Sequence, residues 1–187
     1  MEEIRRVITG IDENGRSAFV SDEIVPAKIP PTLGGNRVFD LFGSDATPTV
    51  PNSGEVEQGL RFFPTTPAGY RYIIFSMPPE HEVVVPEDAE AAWAETERLT
   101  PGMGDAVSDA GGMHYTATVD LEYVLAGEVT LTLDSGESKV MKQGDAIIQC
   151  GANHAWSNKG SETAIILLTF IGANLDASRF ADGGGDH

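Results

Sequence analysis

The stretch of sequence that decides the fold runs from residue 114 to residue 127. It reads His114-Tyr-Thr-Ala-Thr-Val-Asp120-Leu-Glu122-Tyr-Val-Leu-Ala-Gly127. A second stretch, at 151–158, reads Gly-Ala-Asn-His154-Ala-Trp-Ser-Asn158. Between them, apolar and polar residues alternate, and turn-forming residues stand at 134–136 and 144–145. This pattern predicts short β-strands separated by tight turns.

The polar residues of the first stretch all fall on one face if the stretch is extended. In a β-strand, residues two apart point to the same side. His114, Thr116, Thr118, Asp120 and Glu122 share this parity. Burying such groups without partners costs several kcal/mol, on the order of 2–7 for a neutral group. They are therefore expected to bind each other, water, a metal ion or a ligand.

The first stretch resembles the first motif of the cupin superfamily, G-x5-H-x-H-x3,4-E-x6-G. Counted back from Gly127, the acid position holds Asp120 and the second histidine position holds Thr116. His114 occupies the first histidine position, and Ser108 stands where the motif opens with glycine. The resemblance thus keeps one of the two histidines and a shortened carboxylate.

The second stretch resembles the second cupin motif, G-x5-P-x-G-x2-H-x3-N. Gly151, His154 and Asn158 fit its spacing. The gap from Gly144 is one residue short, and Cys150 stands near the usual proline. Together the two stretches make the resemblance strongest over residues 112–172.

The resemblance implies an all-β fold, the RmlC-like double-stranded β-helix or jelly-roll barrel, with N-terminal flanking strands and one short helix. It implies a single cupin domain over residues 1–187. Its motif-bearing core covers about 112–172, preceded by strands and loops at 1–111. Residues 181–187 are predicted to be a flexible tail.

The resemblance also implies a metal site on the inner wall of the barrel. His114, Asp120 and His154 would hold one divalent ion, with Glu122 as the alternative carboxylate. Two histidines and one carboxylate suit ferrous iron, and zinc or manganese can also occupy such a set. The residues predicted to line the pocket around it are Thr116, Thr118, Glu122, Gln149 and Trp156. For Gln149 and Trp156, ordinary core packing is the competing interpretation.

Outside the motifs, the sequence predicts one helix and two long loops. Residues 86–99 begin with proline and acids and are rich in alanine, which favours a helix. Residues 43–69 and 77–112 are rich in turn formers and are predicted to flank the barrel mouth. Because 77–112 lead into His114, we expect this segment to cover the pocket.

The composition of the chain argues against two classes of binding partner. The net charge of −17 argues against binding to nucleic acid or to anionic membrane surfaces. Cys150 is the one cysteine, which fits a reducing compartment. The longest apolar run, 164–173, is far shorter than the ~20 residues of a membrane span. A cytoplasmic protein is therefore predicted.

Two classes of function follow from the resemblance. The first is a small-molecule metalloenzyme, an oxygenase, a lyase or decarboxylase, or an isomerase acting on an organic metabolite. The alternative is a non-catalytic cupin that binds a small molecule. Cupins commonly dimerise by packing or exchanging N-terminal strands, so the resemblance also implies a homodimer.

Overall fold

The computed structural model describes residues 1–107 and 112–179, and it is built mainly from antiparallel β-sheets. The strands within these residues are β1 (Glu3–Ile11), β2 (Ser17–Pro26), β3 (Arg37–Ser44), β4 (Tyr70–Met77), β5 (Thr118–Ala126), β6 (Glu128–Leu133), β7 (Ser138–Lys142), β8 (Ala146–Cys150), β9 (His154–Ser157) and β10 (Ala164–Gly172). The helices are α1 (Ala89–Leu99) and α2 (Met103–Ala106). Three short 3-10 turns lie at Pro31–Leu33, Glu80–Glu82 and Ala177–Arg179. The predicted tail at 181–187 and Ser108 lie outside the described residues.

Two sheets enclose the core. One has five strands in the order β3-β4-β10-β5-β8, and the other has three in the order β7-β6-β9. Val124, Ile166 and Phe170 from the larger sheet share one hydrophobic cluster with Val129 and Trp156 from the smaller sheet. Strands that bury one face against another sheet give the alternation seen in the sequence.

The alternation is sharpest on β5, which carries the first motif. Thr118, Asp120, Glu122 and Val124 point inward and are at most 3% exposed, whereas the residues between them are exposed. The predicted inward face is thus confirmed for this part of the stretch. The strand begins at Thr118 and not at His114, because His114 pairs with His154 on β9. The chain therefore changes sheet between the histidine and the carboxylates.

The N-terminal strands form a separate hairpin. β1 and β2 pair with each other as a two-stranded sheet around a turn that contains Gly15. Gly15 has a positive φ of 73°, which glycine adopts without strain. The hairpin is tied to β3 through Arg6, which donates to the carbonyl of Leu41 at 2.7 Å. The predicted N-terminal flanking strands are present.

The predicted helix begins three residues later than residue 86. Asp88 is its N-cap, and its carboxylate accepts a hydrogen bond from the Ala91 amide at 3.0 Å. Such a cap satisfies a free amide of the first turn and fixes where the helix starts. The buried residues of α1 are Ala92 and Thr96, and Thr96 bonds the hydroxyl of Thr32 at 2.9 Å.

Residues 45–69 carry no helix or strand and connect β3 to β4. Arg71 on β4 holds this loop, since its guanidinium donates to the carbonyls of Ser44 and Arg61 and to Asp45. No helix among the described residues is long and apolar enough to cross a membrane.

Candidate functional site

A cavity of about 460 Å³ opens on the inner side of the five-stranded sheet. Phe170 and Leu168 of β10 form part of its wall, together with Phe62 and Phe63 from the 45–69 loop. Val83 and Met103 come from the segment between β4 and β5. His114, Thr116, Asp120, Glu122 and His154 provide its polar side. A concave apolar pocket with a few polar groups at one place is typical of a ligand site.

His114 and His154 are locked side by side. Each backbone amide donates to the carbonyl of the other, at 2.9 and 2.8 Å. The ring centroids lie 4.5 Å apart. Each Nδ1 bonds a backbone carbonyl two residues earlier, that of Gly112 or Ala152, at 2.8 Å. Because a carbonyl only accepts, each Nδ1 carries the proton, and Nε2 keeps its lone pair when the ring is neutral.

Both imidazoles are held in the neutral form. Burial lowers the pKa of His114, with partial opposition from its bond to Gly112. Burial and the neighbouring His114 lower the pKa of His154 to about 4, opposed in part by its bond to Ala152. Neutral imidazoles with free Nε2 atoms can bind a metal ion or accept a proton.

Two hydrogen-bonded threonine hydroxyls lead to Asp120. The Thr116 and Thr118 hydroxyls lie 2.6 Å apart. Burial raises the pKa of Asp120 to about 7, and a hydrogen bond from Thr118 partly counteracts this. The two hydroxyls therefore end on a carboxyl whose pKa is raised to near neutral pH.

Glu122 lies two residues along the same strand. Burial, together with the charge of Asp120, raises its pKa to about 8. One oxygen of each carboxyl, Asp120 Oδ1 and Glu122 Oε2, is buried without a hydrogen-bond partner, and so is Gln149 Nε2 on the neighbouring strand β8. Buried polar atoms without a partner are costly, so the two carboxyl oxygens, which belong to residues that line the cavity, are candidates for contact with a bound molecule.

Several known proteins are similar to this chain in sequence. Residues 105–170 match the family described as "Cupin domain". The phomopsin biosynthesis cluster protein D of Diaporthe leptostromiformis is 48% identical over 170 residues, which cover 89% of this chain and 76% of the relative. The cluster protein C' of the same fungus is 31% identical over the same shares.

The chain belongs to the cupin family. The predicted all-β cupin barrel is thereby confirmed. A third relative, a cupin-domain-containing oxidoreductase of Hypocrea virens, is 46% identical over 46 residues, 25% of this chain and 24% of the relative.

The cupin motif residues fit a divalent metal in part. The two histidines offer neutral rings whose Nδ1 atoms are oriented by backbone carbonyls, the arrangement usual for metal-binding histidines. Asp120 offers an unpartnered oxygen. Yet within residues 1–107 and 112–179, no three side chains of His, Cys, Asp or Glu come together as a metal-holding group. The histidine pair alone is in place.

Not every residue predicted from this cupin sequence lines the cavity. Thr116, Glu122 and Trp156 do. Thr118 and Gln149 are buried on the inner face of the sheet but are not among the lining residues. Of the predicted metal set, His114 and His154 are adjacent, and the role of Asp120 stays a prediction.

The sequence analysis missed most of the apolar wall of this cupin cavity. Phe62 and Phe63 lie in a loop rich in turn formers, and Val83–Val85 lie in another. The paired aromatics inside a loop rich in turn formers were the available signal for Phe62 and Phe63. The three consecutive valines line the cavity and are also 44–80% exposed. The expectation that 77–112 covers the pocket finds partial support, because residues 83–86, 103 and 107 line it.

Asn158 fixes the edge of the cavity mouth. Its amide nitrogen donates to the carbonyls of Met77 and Glu162 at 2.9 and 2.8 Å, and its oxygen accepts from the Gly160 amide. It is 1% exposed. The motif asparagine therefore ties the end of β4 to the turn after β9.

Proposed function

We propose that this cupin is a small-molecule enzyme that binds a divalent metal through His114 and His154. The proposal is supported by the pair of neutral imidazoles, each with its Nδ1 bound to a backbone carbonyl. They lie in a cavity that also holds two buried carboxyls. The reaction class is an oxygenase, a lyase or decarboxylase, or an isomerase. The name of the Hypocrea virens relative, an oxidoreductase, favours the first of these.

The metal, iron, zinc or manganese, would supply Lewis-acid or redox chemistry when bound. The chain's own residues exclude water from the site, transfer protons and orient the carboxyl of Asp120. The apolar wall excludes water from the bound molecule, and Asp120 and Glu122 supply carboxyls whose raised pKa values suit proton transfer near neutral pH. The Thr118 hydroxyl bonds Asp120 and is itself paired with the Thr116 hydroxyl, which holds the orientation of the carboxyl.

The second candidate is a cupin that binds a small molecule without catalysis. It is favoured by Thr116, which occupies a histidine position of the motif, and by the lack of a third converging ligand among the described residues. The same cavity would then serve as a plain ligand pocket. The predicted cytoplasmic location belongs to both candidates.

The deciding experiment measures metal in protein purified without chelators. We expect about one equivalent in the natural chain, and at least a tenfold loss of metal affinity in His114→Ala and in His154→Ala, since each removes half of the imidazole pair. His81→Ala is the matched control, because His81 lies in an exposed turn. It should keep full occupancy.

Metal-free natural protein, or full occupancy in both site variants, would rule out this metal site. A metal-free protein that still binds small molecules would support the second candidate, a cupin that binds a small molecule without catalysis. Elemental analysis by mass spectrometry gives the stoichiometry, and competition with a coloured chelator gives the affinity.

A further inference from the structure

The cavity has an unusual charge pattern for a site that would take an acidic metabolite. Its charged lining residues, among those the structure describes, are Glu80, Asp120 and Glu122, and no lysine or arginine is among them. Basic residues gather instead around a second cavity of about 430 Å³, lined by Arg6, Lys28, Arg61, Arg71 and Arg98. A carboxylate or phosphate placed away from the histidine pair in the first cavity would lose its hydration and find no cationic side chain, which is unfavourable.

Aromatic rings extend along the wall toward the histidines. Phe62 and Phe63 stack edge to face at 4.9 Å, and Phe170 lies 5.2 Å from Phe63. Phe63 in turn lies 6.1 Å from His114. Such ring pairs pack well against flat apolar molecules. The polar groups are confined to the other end of the cavity, around His114, His154 and the two carboxyls.

We infer that the substrate is a flat, apolar molecule whose ring system carries no acidic group. It binds with its ring system against Phe62, Phe63 and Phe170. A hydroxyl, carbonyl or amine on it faces the histidines and carboxyls. The inference rests on the proposed function only in taking this cavity as the substrate site.

A matched set of three naphthalenes tests this charge preference. 2-Naphthylmethanol, 2-naphthylmethylamine and 2-naphthoate share one skeleton and differ in charge. In calorimetric titrations of chelator-treated protein, the alcohol and the amine should bind at least tenfold more tightly than the carboxylate. Phe63→Ala should weaken binding of the alcohol at least fivefold, whereas Val140→Ala, an exposed change on β7, should leave it unchanged.

Preference for 2-naphthoate, or no binding by any of the three, would overturn the inference. Unchanged binding in Phe63→Ala would place the molecules outside this cavity and would also overturn it. Because metal is removed before the titrations, their result is independent of the metal measurement. A protein that is purified without metal can still prefer the alcohol and the amine, and a protein that is purified with one equivalent of metal can still prefer the carboxylate.

A different observation concerns the outer face of the five-stranded sheet. Across β4, β10, β5 and β8, the strand registers align the outward residues in rows of four. We define the outer face by these residues: Tyr70, Tyr72 and Ile74; Leu167, Thr169 and Ile171; Val119, Leu121 and Tyr123; Ala146, Ile148 and Cys150.

The outer face carries no charge. The whole chain has 12 basic and 29 acidic residues in 187. On an ordinary surface, about three or four of every twelve residues would be charged. Ile148 is 61% exposed, Ile171 53% and Leu121 40%, so the face is open in the single chain. A contiguous apolar face of this kind marks an interaction site.

The outer face is broad enough to form the centre of a protein interface. Six of its twelve members are large hydrophobic side chains that are 38–61% exposed. A standard interface buries ~800 Å² on each partner. Lone apolar residues need no explanation, but a patch this large is uncommon on a monomer.

We propose that a second copy of this chain covers the outer face. Two chains of net charge −17 repel each other over most of their surfaces. The charge-free face lets two copies meet without opposing carboxylates. A two-fold axis would bring the same patch from each copy together, as in most homodimers. The homodimer implied by the cupin resemblance would then form through the sheet and not through the N-terminal strands.

Sedimentation velocity of variants separates these two routes. The natural chain should be a dimer at micromolar concentration. Leu121→Lys puts a charge at the centre of the outer face on both copies and should weaken the dimer at least a hundredfold. Ile148→Glu is a second variant on the neighbouring strand and should do the same. Phe19→Lys, on the exposed side of the β1–β2 hairpin, is the control and should remain dimeric.

A monomeric natural chain would overturn the proposal. So would a dimer that survives both face variants or that is lost in Phe19→Lys, since the hairpin would then be the interface. Circular dichroism of each variant shows that a change in mass is not a loss of fold.

Discussion

Arg71→Ala is expected to lose about 1.5–3 kcal/mol of folding free energy, the range for removing a hydrogen-bonding charged group. Arg71 is 4% exposed. Its guanidinium pairs with Asp45 at 2.8 Å and donates to the carbonyls of Arg61, Ser44 and Tyr70. Alanine would leave these acceptors without their donor. Urea unfolding monitored by fluorescence gives the difference in free energy.

The matched control is Arg5→Ala, which removes a bidentate pair with Asp22 on the exposed hairpin. Exposed pairs contribute little, so its unfolding midpoint should barely change. Arg71 also holds the loop that carries Phe62 and Phe63, so Arg71→Ala should weaken binding of 2-naphthylmethanol. If Arg71→Ala unfolds at the same urea concentration as the natural chain, the 45–69 loop does not depend on Arg71 for its position.

The inner face of β5 could be predicted from sequence because side chains in a strand alternate with period two. That rule placed Thr118, Asp120 and Glu122 together on the inside of the sheet. His114 lines the same cavity, but the rule did not give its strand pairing, because alternation says nothing about which strand a residue pairs with. His114 bridges to His154 across the sheets, a contact set by the path of the chain through residues 112–117.

The apolar wall of the cavity was hidden for a related reason. Phe62 and Phe63 have no periodic pattern around them, and their position depends on Arg71, which lies nine and eight residues further along the chain. A buried arginine that bonds backbone carbonyls leaves no local signal. Loops fixed by such long-range contacts carry much of a binding site, yet sequence patterns describe the scaffold.

The charge-free outer face was visible in the sequence but ambiguous. Val119, Leu121 and Tyr123 alternate with inward polar residues, so both faces of β5 are unusual: the inner side is polar and the outer side apolar. A normal half-buried strand has the reverse pattern. The inversion reflects a polar site inside the barrel and an uncovered apolar sheet outside it. The burial of each side chain shows which face is the inner one.

Glu122→Gln is expected to stabilise the protein at alkaline pH relative to the natural chain. The pKa of Glu122 is raised by burial and by Asp120 to about 8 in the folded protein. A carboxyl whose folded pKa is raised favours the fold while it is protonated. As pH rises from about 4 to about 8, the unfolded chain releases this proton first, so stability falls over that window. Glutamine keeps the shape without the titration.

The stability difference between Glu122→Gln and the natural chain should therefore grow in favour of the variant between pH 5 and pH 9, by on the order of 3–4 kcal/mol. His114 and His154 have lowered pKa values, so their contribution is lost as pH falls below about 6.5, but they are present in both proteins and cancel in the difference. Chelator-treated samples are compared by urea unfolding at each pH. Glu137→Gln, in the exposed turn between β6 and β7, should show no such slope. A flat difference for Glu122→Gln as well would mean that Glu122 is not held protonated inside the cavity, and its part in proton transfer would have to be given up.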